Sequence, residues 1–379
     1  MKLALFGHFL LKYFGYSCMI GGNDGEFRVL SGILLRQSAF PMRICATAPT
    51  RIDLAGGTLD LYPIYLLEDG GLTLNCAINM QCGVTLESRG DGRVCLRSED
   101  LGIEEQYDSV ASVSLDGELE IVSRAIKFFR PPGGLTVTSK NHVKKGSGLG
   151  ASSSLLIAIL SALNELTGSP YSLRQLIDIA ADLEAQCIRV PTGKQDYFAA
   201  AFGGVSALWF EVNDARRECL LSTEEDIREL EERLILSFAG APRFSGATNW
   251  NMIRNYVEEN QTTVSGMKRV KKITHAMRKS ILERDWEQVA SLIDQEWQIR
   301  RTLAEGVTTE AVEKIMQAAL EAGAAANKLC GAGGGGCMIT FVLPKKRQRV
   351  EAALAAAGAE VLPFKIVAGG VSVECEPET

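Results

Sequence analysis

The chain reads as an α+β protein of two lobes, and three observations predict that class. At 379 residues with 46% hydrophobic content, it is long enough for two or three domains with real cores. Strand-like and helix-like stretches alternate from Arg43 to about Phe210, and beyond about Ala215 charged segments of helical period take over before two further strands. Glycine makes up 37 of the 379 residues, above the average of about 7%, and it clusters beside these elements rather than in linkers.

The elements follow in order. Leu3 to Leu11 behind Lys2 has the look of a signal-peptide core, but Gly7 and His8 interrupt it and no small-residue cleavage site follows cleanly. Residues 1–41 are therefore expected to be an extension outside the working fold, which begins near Met42. Residues 83–87 and 135–138 are β-branched, alternating runs, and Gly-Asp-Gly at 90–92 reads as a hairpin turn. After Ser152 the apolar residues Leu155, Leu156, Ile159, Leu160, Leu163 and Leu166 recur at helical spacing, with Gly168 and Pro170 as stop signals. Ser172 and Gln175 form a capping box for a second amphipathic helix. A strand pair around 205–212 closes the first domain, placed at 42–214. The second domain, 215–379, carries helices at 223–233, 248–266, 268–284, 286–303 and 308–322, strands at 337–343 and 371–375, and a short helix at 345–356.

Composition removes several functions. Lys+Arg 40 against Asp+Glu 46 gives a net charge of −6, which offers no broad cationic face to nucleic acid. The longest uncharged stretch, 146–164, contains five serines and a strictly apolar part of only 155–160, so no membrane span is expected. Ten cysteines without a C-x-x-C pair, and only three histidines, argue against a zinc module or a disulfide framework. Free thiols fit a reducing cytoplasm.

Chemistry is concentrated in glycine loops. Lys144-Lys145-Gly146-Ser147-Gly148-Leu149-Gly150-Ala151-Ser152-Ser153-Ser154 joins a strand to a helix start. Glycines let successive N–H groups face one centre, and the helix N-terminus adds roughly half a positive charge, so a phosphate chain fits and the hydroxyls can reach its Mg²⁺. Alone, the loop is equally a glycine-rich helix cap with no ligand. It is not a P-loop, because no Gly-Lys-Ser/Thr follows, and it lacks the third glycine and the acid of a dinucleotide site.

Two more segments bracket that loop: residues 48–60, Ala-Pro-Thr-Arg-Ile-Asp-Leu-Ala-Gly-Gly-Thr-Leu-Asp, and the run Gly331-Ala332-Gly333-Gly334-Gly335-Gly336. In this order the three motifs resemble the GHMP kinases, named for galactokinase, homoserine kinase, mevalonate kinase and phosphomevalonate kinase, from about residue 42 to the C-terminus. The resemblance implies a two-lobed fold with an N-terminal ribosomal-protein-like α/β domain and a C-terminal ferredoxin-like α+β domain, using ATP and Mg²⁺. It assigns Lys145, Gly146, Ser147, Gly148, Leu149, Gly150, Ala151, Ser152 and Ser153 to the nucleotide. Ala151 stands where the family commonly has Ser, so Ser152 is the expected Mg²⁺ hydroxyl, with Ser153 second. Glu184, twelve residues before Asp196, is its acid partner. Gly193-Lys194-Gln195-Asp196 resembles the segment that holds the base, which makes Asp196 catalytic and matches Arg51 to the arginine beside it. Lys194 has no family role.

Asp60 occupies the position at which galactokinase-like members bind sugar hydroxyls. Gly57 and Thr58 precede it, and Gly334 is expected on the substrate side of the final glycine run. Cys330 and Cys337, which flank that run, read as buried small hydrophobes. Galactokinases carry Gly-Glu-His before the aspartate, whereas this chain has Gly57-Thr58-Leu59, which counts against galactose. The Leu-Ala-Gly-Gly and Gly-Lys-Gln-Asp segments look most like bacterial kinases acting on the anomeric hydroxyl of heptose 7-phosphate or fucose. If the sugar is already phosphorylated, Arg243 is the candidate cation. The expected partner is thus a small sugar or sugar phosphate, bound by a cytoplasmic monomer or homodimer. A non-catalytic sensor of the same fold and a kinase of a non-sugar alcohol such as mevalonate are the alternatives.

Overall fold

The computed structural model describes residues 42–144, 146–168, 171–212, 214–240 and 245–377. The N-terminal extension, Lys145 and Arg243 lie outside the described residues. Two sheets organise the rest. The first runs β12-β1-β2-β5-β3-β4, with β6 and β7 added along β2. Its strands are β1 (Met42–Ala55), β2 (Gly71–Arg89), β3 (Val94–Ser98), β4 (Ile103–Tyr107), β5 (Gly134–Asn141), β6 (Val205–Glu211), β7 (Asp214–Leu221) and the C-terminal β12 (Ser372–Pro377). The second sheet is antiparallel, in the order β11-β8-β10-β9: β8 (Leu234–Phe238), β9 (Ala326–Leu329), β10 (Cys337–Phe341) and β11 (Glu360–Leu362).

Strand β2 organises the first sheet because it is long enough for two partners on one edge. Its first part, from Gly71 to Cys76, pairs with β6, and its second, from Cys82 to Arg89, pairs with β5. Strand β1 runs antiparallel along the other edge. The first eight residues of β2 are all buried, then burial alternates. That is the signature of a strand covered on both faces at one end and on one face at the other.

The helices are α1 (Ile64–Leu67), α2 (Glu120–Phe129), α3 (Ala151–Thr167), α4 (Leu173–Ile188), α5 (Gln195–Phe202) and α6 (Glu224–Glu231), followed by α7 (Ser245–Val257), α8 (Gln261–Glu283), α9 (Trp286–Arg300), α10 (Glu310–Ala322) and α11 (Arg347–Ala356). Helix α3 is buried nearly all round from Leu156 to Leu163, which places it at the centre of the first core. It ends at Gly168 with φ 61°, and the Ser172/Gln175 capping box opens α4, as expected. A second core joins the lobes: Ile52, Leu54 and Leu74 of the first sheet pack with Met277, Ile281 and Ile293 of α8 and α9.

The structure departs from the sequence reading in three places. The Gly90 to Gly92 turn makes no hairpin, because β5 lies between β2 and β3 and pairs parallel with β3. Gly134 shows how β5 fits there, since a Cβ on it would lie 2.5 Å from the Arg93 carbonyl. The helix expected at 248–266 is broken. Glu259 takes φ 57° and Asn260 caps a new helix, its side chain accepting from Thr263 N–H, while Gly266 lies inside α8. A Cβ at Gly266 would sit 2.6 Å from Leu303 Cδ2, so this glycine serves close packing rather than a stop. Finally, the expected boundary at 214/215 falls at the start of β7, which stays on the first sheet, and β12 returns to pair with β1.

Candidate active site

The serine-rich loop has the geometry of an anion cradle. Gly146, Gly148 and Gly150 take φ of 73°, 77° and 74°. Ser154 N–H donates to the Gly150 carbonyl as the first bond of α3, which leaves the N–H groups of Ala151, Ser152 and Ser153 outside the helical ladder. They form the positive end of a 17-residue helix.

The final glycine run packs against this loop. Cys337 N–H donates to the Ser147 carbonyl at 2.7 Å, and a Cβ on Gly336 would lie 2.7 Å from the same oxygen. A Cβ on Gly148 would lie 2.6 Å from the Cys330 carbonyl. Gly148→Ala is therefore expected to lower stability by about 1–3 kcal/mol and nucleotide affinity at least about tenfold, read by denaturant unfolding and calorimetric titration. Burial pushes the Cys330 thiol up to about 11 and Cys337 higher still, as befits inert packing groups.

The base candidate lies against the cradle. The Asp196 carboxylate is packed on Gly150, with Oδ2 2.8 Å from where a Cβ would stand. Arg51 reaches Asp196 Oδ1 through Nε at 2.8 Å and Nη2 at 2.7 Å, and donates through Nη1 to the Gly148 carbonyl at 2.6 Å. One guanidinium thus joins the loop to the first turn of α5. Burial pushes the Asp196 carboxyl above its usual range, and Arg51 opposes that rise. Burial also works against the charge of Arg51, but Asp196 and Asp53 outweigh it.

Glu184, on α4, sits at the same helix start. Its Oε2 accepts from Ser153 Oγ at 2.9 Å and from the hydroxyl of Tyr197, and Ser152 lines the same cavity. Burial raises its pKa against these donors. No cluster of three metal-ligating side chains occurs among the described residues. One carboxylate with adjacent hydroxyls at a phosphate cradle is still the kind of partial shell that Mg²⁺ accepts, because it keeps waters and phosphate oxygens as its other ligands. The donor set therefore fits the ion.

Asp60 lies across the cavity, 2% exposed. Thr58 N–H donates to its Oδ1 at 3.1 Å and Gln195 N–H to its Oδ2 at 3.0 Å. Burial lifts its carboxyl to about 6 despite those bonds. Gly193 packs directly on it, with Oδ2 2.2 Å from a Cβ position.

Arg51, Gly57, Thr58, Asp60, Gly146 to Gly148, Gly150 to Ser153, Glu184 and Asp196 line one cavity of about 380 Å³. Two expected residues do not. Leu149 turns its side chain into the second core and offers only backbone, its carbonyl accepting Arg51 N–H at 3.0 Å. Gly334 is buried and donates to the Val307 carbonyl, and Gly331 and Ala332 take the wall position instead. A further stretch of wall comes from the region of β3, α2 and β5, with Ser98, Asp100, Leu119, Val122 and Asn141. Among the described residues, no helix is long and apolar enough to cross a membrane.

Comparison with known proteins follows the same lines. The N-terminal domain of the GHMP kinases matches residues 120–204, and their C-terminal domain matches residues 277–360. The chain carries both GHMP kinase domains, in the family's order. D-glycero-alpha-D-manno-heptose 7-phosphate kinase of Campylobacter jejuni is 28% identical over 85% of this chain and 96% of its own length. The bifunctional fucokinase/GDP-fucose pyrophosphorylase of Arabidopsis thaliana is 25% identical over 82% of this chain, which spans 31% of that longer protein. Among solved structures, a D-glycero-D-manno-heptose 1-phosphate kinase from Bacteroides thetaiotaomicron superposes with a TM-score of 0.72 at 27% identity, covering 87% of this chain and 98% of that one.

Sequence reasoning missed two parts of this site. Tyr197, next to Asp196, belongs to none of the motifs, yet its hydroxyl bonds to both Glu184 and Thr192 Oγ1. Behind the Gly57-Thr58 turn lie Glu296, Arg300 and Lys328, all fully buried. A signal for these existed: Glu296 and Arg300, spaced i,i+4, fall on the apolar stripe of α9, and Lys328 stands in the wholly buried strand β9. Charges in such places are rare unless paired.

Proposed function

We propose that this GHMP kinase transfers the γ-phosphoryl group of ATP to a hydroxyl of a sugar or sugar phosphate, with Asp196 as the base. The observation that carries the reading is the Asp196 carboxylate, ion-paired to Arg51 and packed on Gly150, beside free N–H groups of α3 and on the same cavity as Asp60. The N–H groups of the loop and helix hold the phosphates, and the wall from β3, α2 and β5 takes the adenine ring. The acceptor oxygen bonds to phosphorus as the bond to ADP breaks, and its proton passes to Asp196. Arg51 keeps that carboxylate ionised until then and offsets charge on the phosphoryl oxygens. Asp60 accepts hydrogen bonds from acceptor hydroxyls, oriented by Thr58 and Gln195.

Ser152 and Glu184 would hold Mg²⁺, which neutralises phosphate charge when bound. Glu184→Gln is expected to raise the Mg²⁺ concentration needed for half-maximal rate at least about tenfold, because a neutral amide is a weaker ligand for a hard cation. An unchanged Mg²⁺ titration removes the assignment.

The acceptor class follows from the Asp60 carboxylate and from the names of similar proteins, which point to heptose phosphates and fucose rather than galactose. A cytoplasmic location belongs to the same reading, in keeping with nine free cysteines among the described residues. The test is ADP release with Mg-ATP and a panel of D-glycero-D-manno-heptose 7-phosphate, L-fucose, D-galactose and mevalonate. Turnover of the heptose phosphate or fucose supports the proposal. Turnover of mevalonate alone, or tight sugar binding without turnover, overturns it.

A further inference from the structure

The turn that carries Asp60 is strained. Thr58 is β-branched yet takes φ 78°, a conformation that is costly for such a residue and persists only where neighbours impose it. The neighbour here comes from the other lobe. Arg300, the last residue of α9, donates through Nη2 to the Gly57 carbonyl at 2.6 Å and through Nη1 to Thr58 Oγ1 at 3.2 Å. Its Nε donates to Glu296 Oε1 at 2.8 Å, and Lys328 Nζ lies 3.7 Å from Glu296 Oε2 and 3.1 Å from Asp53 Oδ2.

All four charged side chains have no exposure, and their charges sum to zero. Such a set is poor value as a source of stability, since well-packed apolar residues of similar volume often do as well or better. Its directional bonds end on the Gly57-Thr58 backbone and hydroxyl. Thr58 N–H in turn bonds to Asp60 Oδ1.

We propose that Arg300 is a positioning residue of the acceptor site: by holding the Gly57 carbonyl and the Thr58 hydroxyl, it fixes the left-handed turn and, through it, the carboxylate of Asp60. The clamp makes acceptor binding depend on α9 of the second lobe while leaving the phosphate loop alone. The identity of the bound acceptor rests on the sugar-kinase reading, whereas the clamp itself does not.

Arg300→Lys keeps the charge but loses the planar fork. It is expected to raise KM for D-glycero-D-manno-heptose 7-phosphate at least about tenfold while KM for ATP stays within about twofold. Amide hydrogen exchange should quicken about tenfold at 56–61 and stay unchanged at 146–154. Adding Thr58→Gly, which has no penalty at positive φ, should restore part of the acceptor KM. A purely structural loss would not be rescued in this way. Should Arg300→Lys fail to fold, Thr58→Val, which leaves no buried charge unpaired by its own loss, decides by the same KM split. Parallel rises in both KM values, or unchanged exchange at 56–61, overturn the proposal. If the wild-type protein turns over none of the panel, the sugar reading falls and the exchange measurement alone decides the clamp.

Discussion

Replacing Asp196 with Asn is expected to lower kcat by roughly 10²–10⁴ while leaving ATP affinity within a few-fold. The carboxylate packs on the helix start at Gly150, and it supplies none of the N–H groups that would hold phosphate. Asn keeps nearly the same volume, so the packing against Gly150 survives. Two things are lost: a site for the acceptor's proton and the ion pair with Arg51. Steady-state kinetics with calorimetric titration of a non-hydrolysable ATP analogue separates the effects. An equal loss of ATP binding and turnover would make Asp196 a structural residue of the cradle.

Arg51→Met should be the next most damaging change, lowering kcat by roughly 10²–10³ through lost charge stabilisation. It should also leave a mark in the pH profile. Burial already pushes the Asp196 carboxyl up, and the guanidinium at 2.7 Å holds that rise in check. Without it the pKa climbs further, so a larger share of the enzyme carries a protonated base at a given pH. The acidic limb of kcat/KM should then move to higher pH by about 1–3 units, the range an opposite charge at close contact commands. Arg51→Lys keeps the charge without the two-point contact, and its limb should stay closer to that of the wild-type protein. A limb that does not move in Arg51→Met would mean that the observed ionisation belongs to another group.

Local signals carried much of the site. Glycines at 146, 148 and 150 announce positive φ and close backbone approach, and each adopts such a conformation. The serines that follow start a helix whose apolar period is unmistakable, so the cradle was legible from short-range pattern alone. The roles expected of Asp196, Arg51, Glu184 and Asp60 came from the family resemblance, and the structure brings all four to one cavity. Leu149 and Gly334 show the limit of motif reading. A position inside a motif can serve by its backbone alone, and periodicity does not say which way a loop side chain turns.

Distance in the chain explains the rest. Arg51 and Asp196 lie 145 positions apart, and Arg300 meets Gly57 across 243. No periodicity spans such gaps; only the packing of α5 on β1 and of α9 behind the Thr58 turn brings these groups together. Pattern in the residues thus specified the elements, the glycine loop and the kinds of groups available, because those depend on backbone conformation and burial within a few turns. Which carboxylate faces the loop, which arginine pairs with it and which buried charges brace the Gly57-Thr58 turn depended on long-range packing, because an ion pair or a strained turn exists only where both partners are held in place.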